Sequence, residues 1–323
     1  MNKRFWKNKK VLITGFEGFL GSNLTKAMLT STAKIFGLDI KVKRKDTILA
    51  PADYKNMIVI KGSVADYVLL KDTIVKNKIN VIFHLAAEAI VGTCQSNPLT
   101  AFSTNVRGTW NILEACRNAK HVQSIIIASS DKAYGAHKKL PYKEGAPLTG
   151  KHPYDVSKSC ADLIANTYFH TYDLPVTVTR CGNIYGPGDF NLSRIVPDAI
   201  RCAVGGRTLL IRSDGKFIRD YVYVDDIVNG YIVLAENFKK LGLGGEAFNF
   251  SDEHPITVVE LVNKIFKISG KKPDYKILNK ARYEIKQQYL SADKARRILG
   301  WRTKYNLEKG LAETIKWITG CPG

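Results

Sequence analysis

Short apolar runs rich in β-branched residues recur through the first half of the chain, separated by longer segments with helical spacing. The apolar runs are Val11–Ile13, Lys34–Leu38, Ile58–Ile60, Val81–Phe83, Ile125–Ile127 and Val176–Thr179. The longer segments are Leu20–Leu29, Ala101–Cys116 and Tyr154–Tyr172. Continuous apolar strands that alternate with helices are typical of a parallel sheet covered on both faces. We therefore predict an α/β fold with a doubly wound parallel sheet.

This alternation of strand and helix ends near Arg180, where glycine and proline cluster between residues 182 and 188. The segment Tyr221–Ala235 again has the pattern of a strand followed by a helix. We predict a first domain of residues 1–181 with a return segment at about 218–238. Residues 182–217 and 239–323 are then expected to form a smaller C-terminal α/β domain.

The composition describes a basic globular chain. Of its 323 residues 45% are hydrophobic, which excludes disorder as the main description, and 49 Lys and Arg against 29 Asp and Glu give a net charge of +20. Such a charge is compatible with nucleic-acid binding, an anionic small-molecule site or a lysine-rich solvated surface. The basic runs 7–10 and 41–45 are short and lack interleaved aromatic residues, which favours the solvated surface.

Targeting and metal signals are weak in this sequence. No apolar run approaches the roughly 18 residues of a membrane span, and the N-terminal residues lack the pattern of a secretory signal. The six cysteines, at 94, 116, 160, 181, 202 and 321, form no CxxC pair and no metal-ligand spacing. We expect reduced thiols, a cytoplasmic protein, and no metal site or membrane partner.

Three glycines follow the first predicted strand. Gly15, Gly18 and Gly21 form a GxxGxxG pattern that leads into a predicted helix, and Asp39 ends the next predicted strand. Glycine lets the backbone approach a pyrophosphate closely, and a helix N-terminus offers free N–H groups to it. A carboxylate at Asp39 can hydrogen-bond the ribose 2′-OH and would repel a 2′-phosphate. The pattern predicts a Rossmann-type site for NAD rather than NADP, a preference that the nearby cations of residues 41–44 could weaken.

Tyr154 and Lys158 are four residues apart in a predicted helix and would share one face of it. A free tyrosine has a pKa near 10, too high for a base at neutral pH. A neighbouring ammonium and a cationic nicotinamide would lower this pKa. Tyr154 could then take the proton of an alcohol while hydride leaves the same carbon.

The fifth predicted strand ends in Ser130, Asp131 and Lys132. The carboxyl ends of parallel strands are where α/β proteins bind their ligands, so Ser130 is placed to bond a reacting hydroxyl or ketone. Asp131 and Lys132 add two ionisable groups that simple alcohol oxidation does not need. An acid–base pair beside an oxidised carbon suggests elimination of water; a helix-capping Asp and a solvated Lys are the alternative.

Together Gly15, Gly18, Gly21, Asp39, the run His84–Ala87, Ser130, Tyr154 and Lys158 resemble the extended short-chain dehydrogenase/reductases. Within them the chain is similar, over nearly its whole length, to the nucleotide-sugar 4,6-dehydratases. The resemblance implies oxidation at C4, loss of water across C5–C6 and hydride return to C6, giving a 4-keto-6-deoxy sugar with NAD recycled. It also implies that Asp131 protonates the C6 oxygen, with Lys132 as the candidate C5 base.

The resemblance further implies a set of binding residues. Those expected at the cofactor are Gly15, Gly18, Phe19, Leu20, Gly21, Asp39, Ser63, Val64, Leu85, Ala86, Ala87, Asn105, Tyr154 and Lys158. Those expected at the nucleotide sugar are Glu88, Ser130, Asn183, Arg194 and Arg219. The arginines suit this role because a guanidinium can form bidentate hydrogen bonds with phosphate. Ser63 stands where relatives often carry an aspartate that contacts adenine. The smaller domain would bind the sugar nucleotide.

The resemblance extends to the finer substrate and the assembly. The whole chain most resembles the GDP-N-acetylglucosamine 4,6-dehydratases of bacterial legionaminic acid synthesis. This resemblance implies a GDP-sugar substrate and a role in surface-glycan biosynthesis. The pair Asp131-Lys132, in contrast, resembles that of the CDP-glucose 4,6-dehydratases. It also implies a homodimer formed by helices near Leu99–Asn118 and Tyr154–Tyr172, with a tetramer as the alternative. GDP-mannose or CDP-glucose dehydration, 4-epimerisation, and an inactive fold that binds RNA or protein remain open; intact Ser130, Tyr154 and Lys158 argue against the last.

Overall fold

The computed structural model describes residues 1–281 and 284–320. Its strands are β1 (Lys10–Thr14), β2 (Lys34–Asp39), β3 (Ile58–Lys61), β4 (Val81–His84), β5 (Ser124–Ala128), β6 (Val176–Cys181), β7 (Asn183–Tyr185), β8 (Leu209–Ile211), β9 (Ile218–Arg219), β10 (Tyr221–Tyr223), β11 (Ala247–Phe250), β12 (Ile256–Thr257), β13 (Tyr275–Ile277) and β14 (Gln287–Gln288). A central sheet runs in the order β3-β2-β1-β4-β5-β6-β11, and each neighbouring pair in it is parallel. The predicted doubly wound parallel sheet is confirmed.

Helices cover both faces of this sheet. They are α1 (Lys3–Trp6), α2 (Phe19–Leu29), α3 (Pro51–Lys55), α4 (Tyr67–Lys76), α5 (Val91–Ser96), α6 (Pro98–Phe102), α7 (Gly108–Arg117), α8 (Pro153–Tyr172), α9 (Ile195–Gly205), α10 (Val224–Leu241), α11 (Val258–Ile268), α12 (Asp293–Leu299) and α13 (Leu307–Gly320). Local sequence explains several of the helix starts. Asp66 accepts a hydrogen bond from the Leu69 amide at 3.0 Å before α4, and Pro153 occupies the first turn of α8.

The strands are apolar on both sides because each side packs on a helical layer. Val11 and Ile13 of β1 pack with α2 and α10, whereas Leu12 between them packs with α4 and α7. All three side chains are fully buried. Since successive strand residues point to opposite faces, a strand buried on both faces shows a continuous apolar run.

The segment 101–116 is more divided than its helical spacing predicts. It contains the end of α6, a π-helical turn at Ser103–Arg107, and most of α7. A π-helical turn carries one extra residue per turn and is common at functional sites. The extra residue here turns Asn105 inward, where its side chain is 2% exposed.

A second hydrophobic core lies between α9, α11 and α13. Its fully buried members include Ile200 of α9, Ile265 of α11 and Leu311 of α13. Three small sheets accompany it, in the orders β10-β7, β12-β9-β14 and β13-β8. This part of the molecule places Arg194 and Arg219 beside the carboxyl ends of the central strands.

One part of the expected domain division needs correction. Residues 239–323 were assigned to the smaller domain, but β11 within them is the edge strand of the central sheet. Phe248 and Phe250 are fully buried there. The return segment also differs from expectation, because α10 packs on the central sheet whereas β10 pairs with β7 outside it. The remaining division into domains stays a prediction.

Within residues 1–281 and 284–320, no helix is long and apolar enough to cross a membrane. The cysteines at 94, 116, 160, 181 and 202 carry free thiols, and Cys321 lies outside the described residues.

Candidate active site

The three glycines form a cradle at the carboxyl end of β1. Gly15 has a φ of +69°, and a Cβ on it would lie 2.7 Å from the Ala86 backbone nitrogen. A Cβ on Gly21 would lie 1.9 Å from the Gly15 carbonyl oxygen. Gly18 is the N-cap of α2, with no side chain over the free N–H groups of the first turn. These spaces fit a pyrophosphate at a helix N-terminus, so the cradle is suited to the dinucleotide predicted from the sequence.

Asp39 lies beside this cradle at the end of β2. Its carboxylate accepts hydrogen bonds from the backbone amides of Glu17 and Lys41, both at 3.3 Å. Burial raises the pKa of Asp39, while these amides and the Arg44 charge act in the opposite direction. Arg44 makes a bidentate ion pair with Asp46. The Arg44 guanidinium is thus paired with a carboxylate, and the expected preference for NAD rests on the Asp39 carboxylate at the end of β2.

The other expected cofactor residues surround the same edge of the sheet. Phe19 and Leu20 form the first turn of α2, and Leu85, Ala86 and Ala87 follow β4 directly. Val64 is 3% exposed, and its carbonyl accepts a hydrogen bond from Asn111 at 3.0 Å. The Ser63 hydroxyl accepts from the Ala65 amide at 3.1 Å. Ser63 therefore shapes its own turn, and its role toward adenine stays a prediction.

Asn105 connects the loop after β4 to the helix that carries Tyr154. Its Oδ1 accepts from the Glu88 amide at 2.8 Å, and its Nδ2 donates to the Glu88 carbonyl at 3.0 Å and to the Ser157 hydroxyl at 2.9 Å. Ser157 in turn donates to the Tyr154 carbonyl at 2.7 Å. The structure gives the Asn105 side chain a positioning role; a direct contact with cofactor stays a prediction, as does a contact between Glu88 and sugar.

Ser130, Asp131 and Lys132 lie in a tight turn that begins where β5 ends. Ser130 caps a 3₁₀ helix at Asp131–Tyr134, and its hydroxyl donates to Asp131 Oδ1 at 3.0 Å. Asp131 is 4% exposed, and its other oxygen, Oδ2, is buried and has no hydrogen-bond partner among residues 1–281 and 284–320. Burial raises the pKa of Asp131 and lowers the pKa of the Lys132 amine. Both shifts favour neutral forms, which suit a proton donor beside a proton acceptor.

A buried network holds this turn against the sheet and α8. Arg180 of β6 makes a bidentate ion pair with Asp162 of α8, at 2.7 and 2.8 Å. Its third contact is the Tyr134 hydroxyl, which accepts from Nη1 at 2.8 Å. Tyr134 is the last residue of the 3₁₀ helix, so the network fixes the turn from its far end.

Tyr154 and Lys158 lie one turn apart on α8, as predicted. Lys158 is 6% exposed and donates to the Ala128 carbonyl at 2.9 Å, with its nitrogen 6.0 Å from the centre of the Tyr154 ring. Burial lowers the pKa of Lys158 to about 8. Burial also raises the pKa of Tyr154 to about 12, against a lowering contribution from its hydrogen bond with Ser130. The lowered Tyr154 pKa expected from Lys158 is therefore not a property of the chain alone, because the effect of burial outweighs the lowering contributions.

His84 supports this arrangement from below. Its Nδ1 lies 2.8 Å from the Thr14 hydroxyl and its Nε2 lies 3.3 Å from the Thr109 hydroxyl. Burial, together with the Lys158 charge, lowers the pKa of His84 to about 3. The imidazole is neutral at physiological pH and ties β1, β4 and α7 together under the site.

The expected substrate arginines lie in different surroundings. Arg194 pairs with Asp189 at 3.2 Å, and its guanidinium lies 5.7 Å from the ring centre of Phe19, so it adjoins the cofactor cradle. Arg219 is 6% exposed and donates to the carbonyls of Ile218, at 2.8 Å, and of Ile285. Its charge acts on both Asp131 and Lys132. The Asn183 side chain donates to the Asp220 carbonyl at 3.2 Å, on the same side of the site. Substrate contacts by these three side chains stay predictions.

Two buried residues that could not be predicted from the sequence also adjoin the turn of Ser130, Asp131 and Lys132, which we call the acid–base turn. Gln288 of β14 bonds both Lys132 and Asp131, and Asp220 is a fully buried carboxyl beside Ser251. Asp220 directly follows Arg219 in the sequence, but only the arginine is expected at the site from the resemblance. Gln288 comes from a segment without any recognisable motif, so nothing in the sequence marked it. Among the described residues no group of three or more His, Cys, Asp or Glu side chains is arranged to hold a metal ion.

Comparison with known proteins agrees with this geometry. The sequence model of the family described as GDP-mannose 4,6 dehydratase matches residues 12–314. The chain is 28% identical to the CDP-glucose 4,6-dehydratase of Salmonella typhimurium, covering 98% of this chain and 92% of that protein. It is similar in structure to the dTDP-glucose 4,6-dehydratase of Bacillus anthracis in complex with NAD, with a TM-score of 0.87, 31% identity and 96% of each chain covered. It is also similar to a UDP-N-acetylglucosamine 4-epimerase of Methanobrevibacter ruminantium, with a TM-score of 0.88, 25% identity, and 97% and 99% covered.

Proposed function

Since the chain belongs to the GDP-mannose 4,6 dehydratase family, we propose that it is an NAD-dependent nucleotide-sugar 4,6-dehydratase of the cytoplasm. The observation that carries the proposal is the buried pair Asp131 and Lys132, in which Asp131 Oδ2 has no hydrogen-bond partner within the described part of the chain and lies beside the hydrogen-bonded Ser130 and Tyr154. A 4-epimerase moves hydride and one hydroxyl proton, and needs no further acid and base. A binding protein that had lost catalysis would not need to keep two buried ionisable groups at a cost in desolvation.

The cofactor cradle fits NAD through Gly15, Gly18, Gly21 and Asp39. When bound, NAD supplies the hydride acceptor for C4 of the sugar and the hydride donor for C6. These residues orient the dinucleotide, and Asp39 engages the adenosine ribose. Relatives solved with NAD, such as the dehydratase of Bacillus anthracis, support this assignment.

The chain's own side chains divide the proton transfers. Tyr154 takes the C4 hydroxyl proton, and Ser130 holds the resulting ketone oxygen. Lys132, whose amine is neutral more readily than a free lysine, takes the acidified proton at C5. Asp131, whose carboxyl keeps its proton more readily than a free aspartate, donates it to the C6 oxygen, which leaves as water. Once C6 has regained the hydride that left C4, return of the Lys132 proton to C5 completes the 4-keto-6-deoxy product.

For the substrate we propose a GDP-sugar, with GDP-N-acetylglucosamine as the first candidate, on the strength of the whole-chain resemblance and the match to the family described as GDP-mannose 4,6 dehydratase. Such an enzyme would serve legionaminic acid and surface-glycan biosynthesis. CDP-glucose is the second candidate, because a CDP-glucose 4,6-dehydratase is among the relatives and Asp131-Lys132 resembles that group. Arg194 and Arg219 are proposed to bind the diphosphate, with Asn183 and Glu88 near the sugar.

We also propose a homodimer, built on the exposed apolar side chains of α6, α7 and α8. Leu99 is 82% exposed and Leu163 is 57% exposed, and Phe102 and Trp110 on the same helices are also exposed. Such side chains along neighbouring helices are suited to pack against a second copy. A homotetramer is the alternative assembly. Nothing in the site calls for nucleic acid, so the excess positive charge is assigned to solvated surface.

The deciding experiment is to incubate the purified protein with GDP-N-acetylglucosamine, CDP-glucose, GDP-mannose, dTDP-glucose and UDP-N-acetylglucosamine, and to analyse the products by mass spectrometry. A product lighter by one water, formed with catalytic NAD, is the expected result for one of the first two sugars. An isomer of unchanged mass would establish an epimerase. Absence of turnover together with salt-sensitive RNA binding would establish the binding-protein alternative.

A further inference from the structure

Gln288 makes two directed contacts with the acid–base turn. Its side chain is fully buried. Its Oε1 accepts a hydrogen bond from Lys132 Nζ at 2.7 Å, and its Nε2 donates to the Asp131 backbone carbonyl at 2.9 Å. One amide therefore fixes the end of the Lys132 side chain and the backbone of the residue before it.

The strand that carries Gln288 is itself held in register with Arg219. β14 pairs in parallel with β9, and Gln288 is the partner of Arg219 in that register. The Arg219 guanidinium also donates to the carbonyls of Ile285 and Lys286, just before β14. Gln288 thus joins the turn after β5 to the strand pair that carries a candidate diphosphate ligand.

The chemistry of an amide suits this place. Lys132 faces the charges of Asp131 in its own turn, Arg219 on β9, Asp155 on α8 and Glu284 before β14. Burial and Arg219 lower its pKa, and the three carboxylates oppose this. The oxygen of a neutral amide orients the amine without adding a further negative charge that would keep the amine protonated.

We propose that Gln288 is a positioning residue for the elimination step, which aims the Lys132 amine at the substrate and leaves it free to accept a proton. This inference rests on the proposed dehydratase function. It adds a requirement that the function alone does not make, namely that the residue facing Lys132 from β14 is uncharged and hydrogen-bonding.

The test compares Gln288→Glu with Gln287→Glu in the full-length protein. Gln287 is the exposed neighbour on the same strand, so its variant adds the same charge one residue away. Oxidation is followed by the absorbance of reduced nicotinamide in a single turnover, and elimination by mass spectrometry of the product, from pH 6 to pH 10. In Gln288→Glu we expect the rise of the elimination rate with pH to move to higher pH by about one unit or more, because a nearby carboxylate raises the pKa of an amine. The oxidation rate should stay within about twofold of the parent, because Tyr154 acts in that step.

A second variant covers the case in which the buried glutamate prevents folding. Gln288→Met has similar volume but forms neither hydrogen bond, and we expect it to slow elimination about tenfold or more while oxidation persists. The inference is overturned if both Gln288 variants eliminate at the parent rate, or if Gln287→Glu shifts the pH profile as far as Gln288→Glu. If the parent protein yields only an isomer, the proposed function fails instead, so the two failures are distinguishable.

Discussion

The glycine cradle at β1 and the acid–base turn at β5 lie at the same edge of the sheet but are built differently. In the cradle the functional groups are backbone atoms and the space around them. Gly15 and Gly21 are needed there because neither position has room for a Cβ. In the turn the functional groups are side chains. Gln288 of β14 hydrogen-bonds Lys132 and Asp131, and the charges of Arg219 on β9 and Asp155 on α8 act on Lys132. A backbone site is specified locally, within seven residues, whereas the turn depends on distant parts of the chain.

The broadest effect is expected at the cradle, from Gly21→Ala, because loss of cofactor binding removes every later step of the reaction. The new Cβ would meet the Gly15 carbonyl oxygen at 1.9 Å, and that oxygen is a backbone atom that cannot turn away as a flexible side chain could. We expect NAD affinity, measured by titration calorimetry, to fall about 100-fold or more. Gly145→Ala is the matched control, since a Cβ there meets nothing within 4 Å. Parent-like NAD binding by the Gly21 variant would show that the cradle is not the dinucleotide site.

The largest effect on a single chemical step is expected from Tyr154→Phe in the side-chain region. Removing the hydroxyl removes the group that takes the C4 proton, so the first oxidation should slow about 10³-fold while NAD affinity is retained. Stopped-flow absorbance of reduced nicotinamide measures that step. Tyr172→Phe, a half-exposed tyrosine at the end of the same helix, should behave as the parent. Equal oxidation rates in the parent and Tyr154→Phe would remove Tyr154 from the mechanism.

The contrast between local and long-range contacts also explains which features of the fold and the site could be predicted from the sequence. The parallel sheet, the cradle, Asp39 and the pair Tyr154 and Lys158 were predictable, because each depends on spacing within one or two neighbouring elements. Gln288 was not, because its contacts join residues more than 150 positions apart. The edge strand β11 was missed for a related reason. It is short, and its buried place depends on pairing with β6 rather than on its own four residues.

A smaller effect on rate, confined to one step, is expected from Asp131→Asn. The amide retains the shape and the contact with Ser130 but has no proton to donate to the C6 oxygen. We expect oxidation close to the parent rate and elimination slowed about 100-fold, so that the 4-keto sugar accumulates with reduced cofactor. Mass spectrometry of quenched single turnovers measures both species. Elimination at the parent rate would mean that another group is the acid.

The smallest expected effect concerns the free energy of unfolding. It tests whether a buried carboxyl beside the acid–base turn lowers stability, which the backbone groups of the cradle do not do. Asp220 is fully buried, Oδ2 accepts from the Ser251 hydroxyl, and Oδ1 has no partner. Burial, with the Asp131 charge, raises the pKa of Asp220 to about 7, from 3.8 in a free side chain. The folded protein therefore holds this proton more tightly than the unfolded chain does. The contribution of Asp220 to stability is then fully present below about pH 4 and is lost as the pH rises through about 7.

Asp220→Asn removes this titration, so its free energy of unfolding relative to the parent should rise by on the order of 2 kcal/mol between pH 5 and pH 8. Urea unfolding at both pH values measures the difference. Asp72→Asn, at a half-exposed carboxylate of α4, should leave the difference from the parent constant over the same range. A constant difference for Asp220→Asn as well would mean that Asp220 is ionised in the folded protein across this range. The acid–base turn would then lie beside a second buried negative charge, and Asp131 would hold its proton even more tightly than its own burial requires.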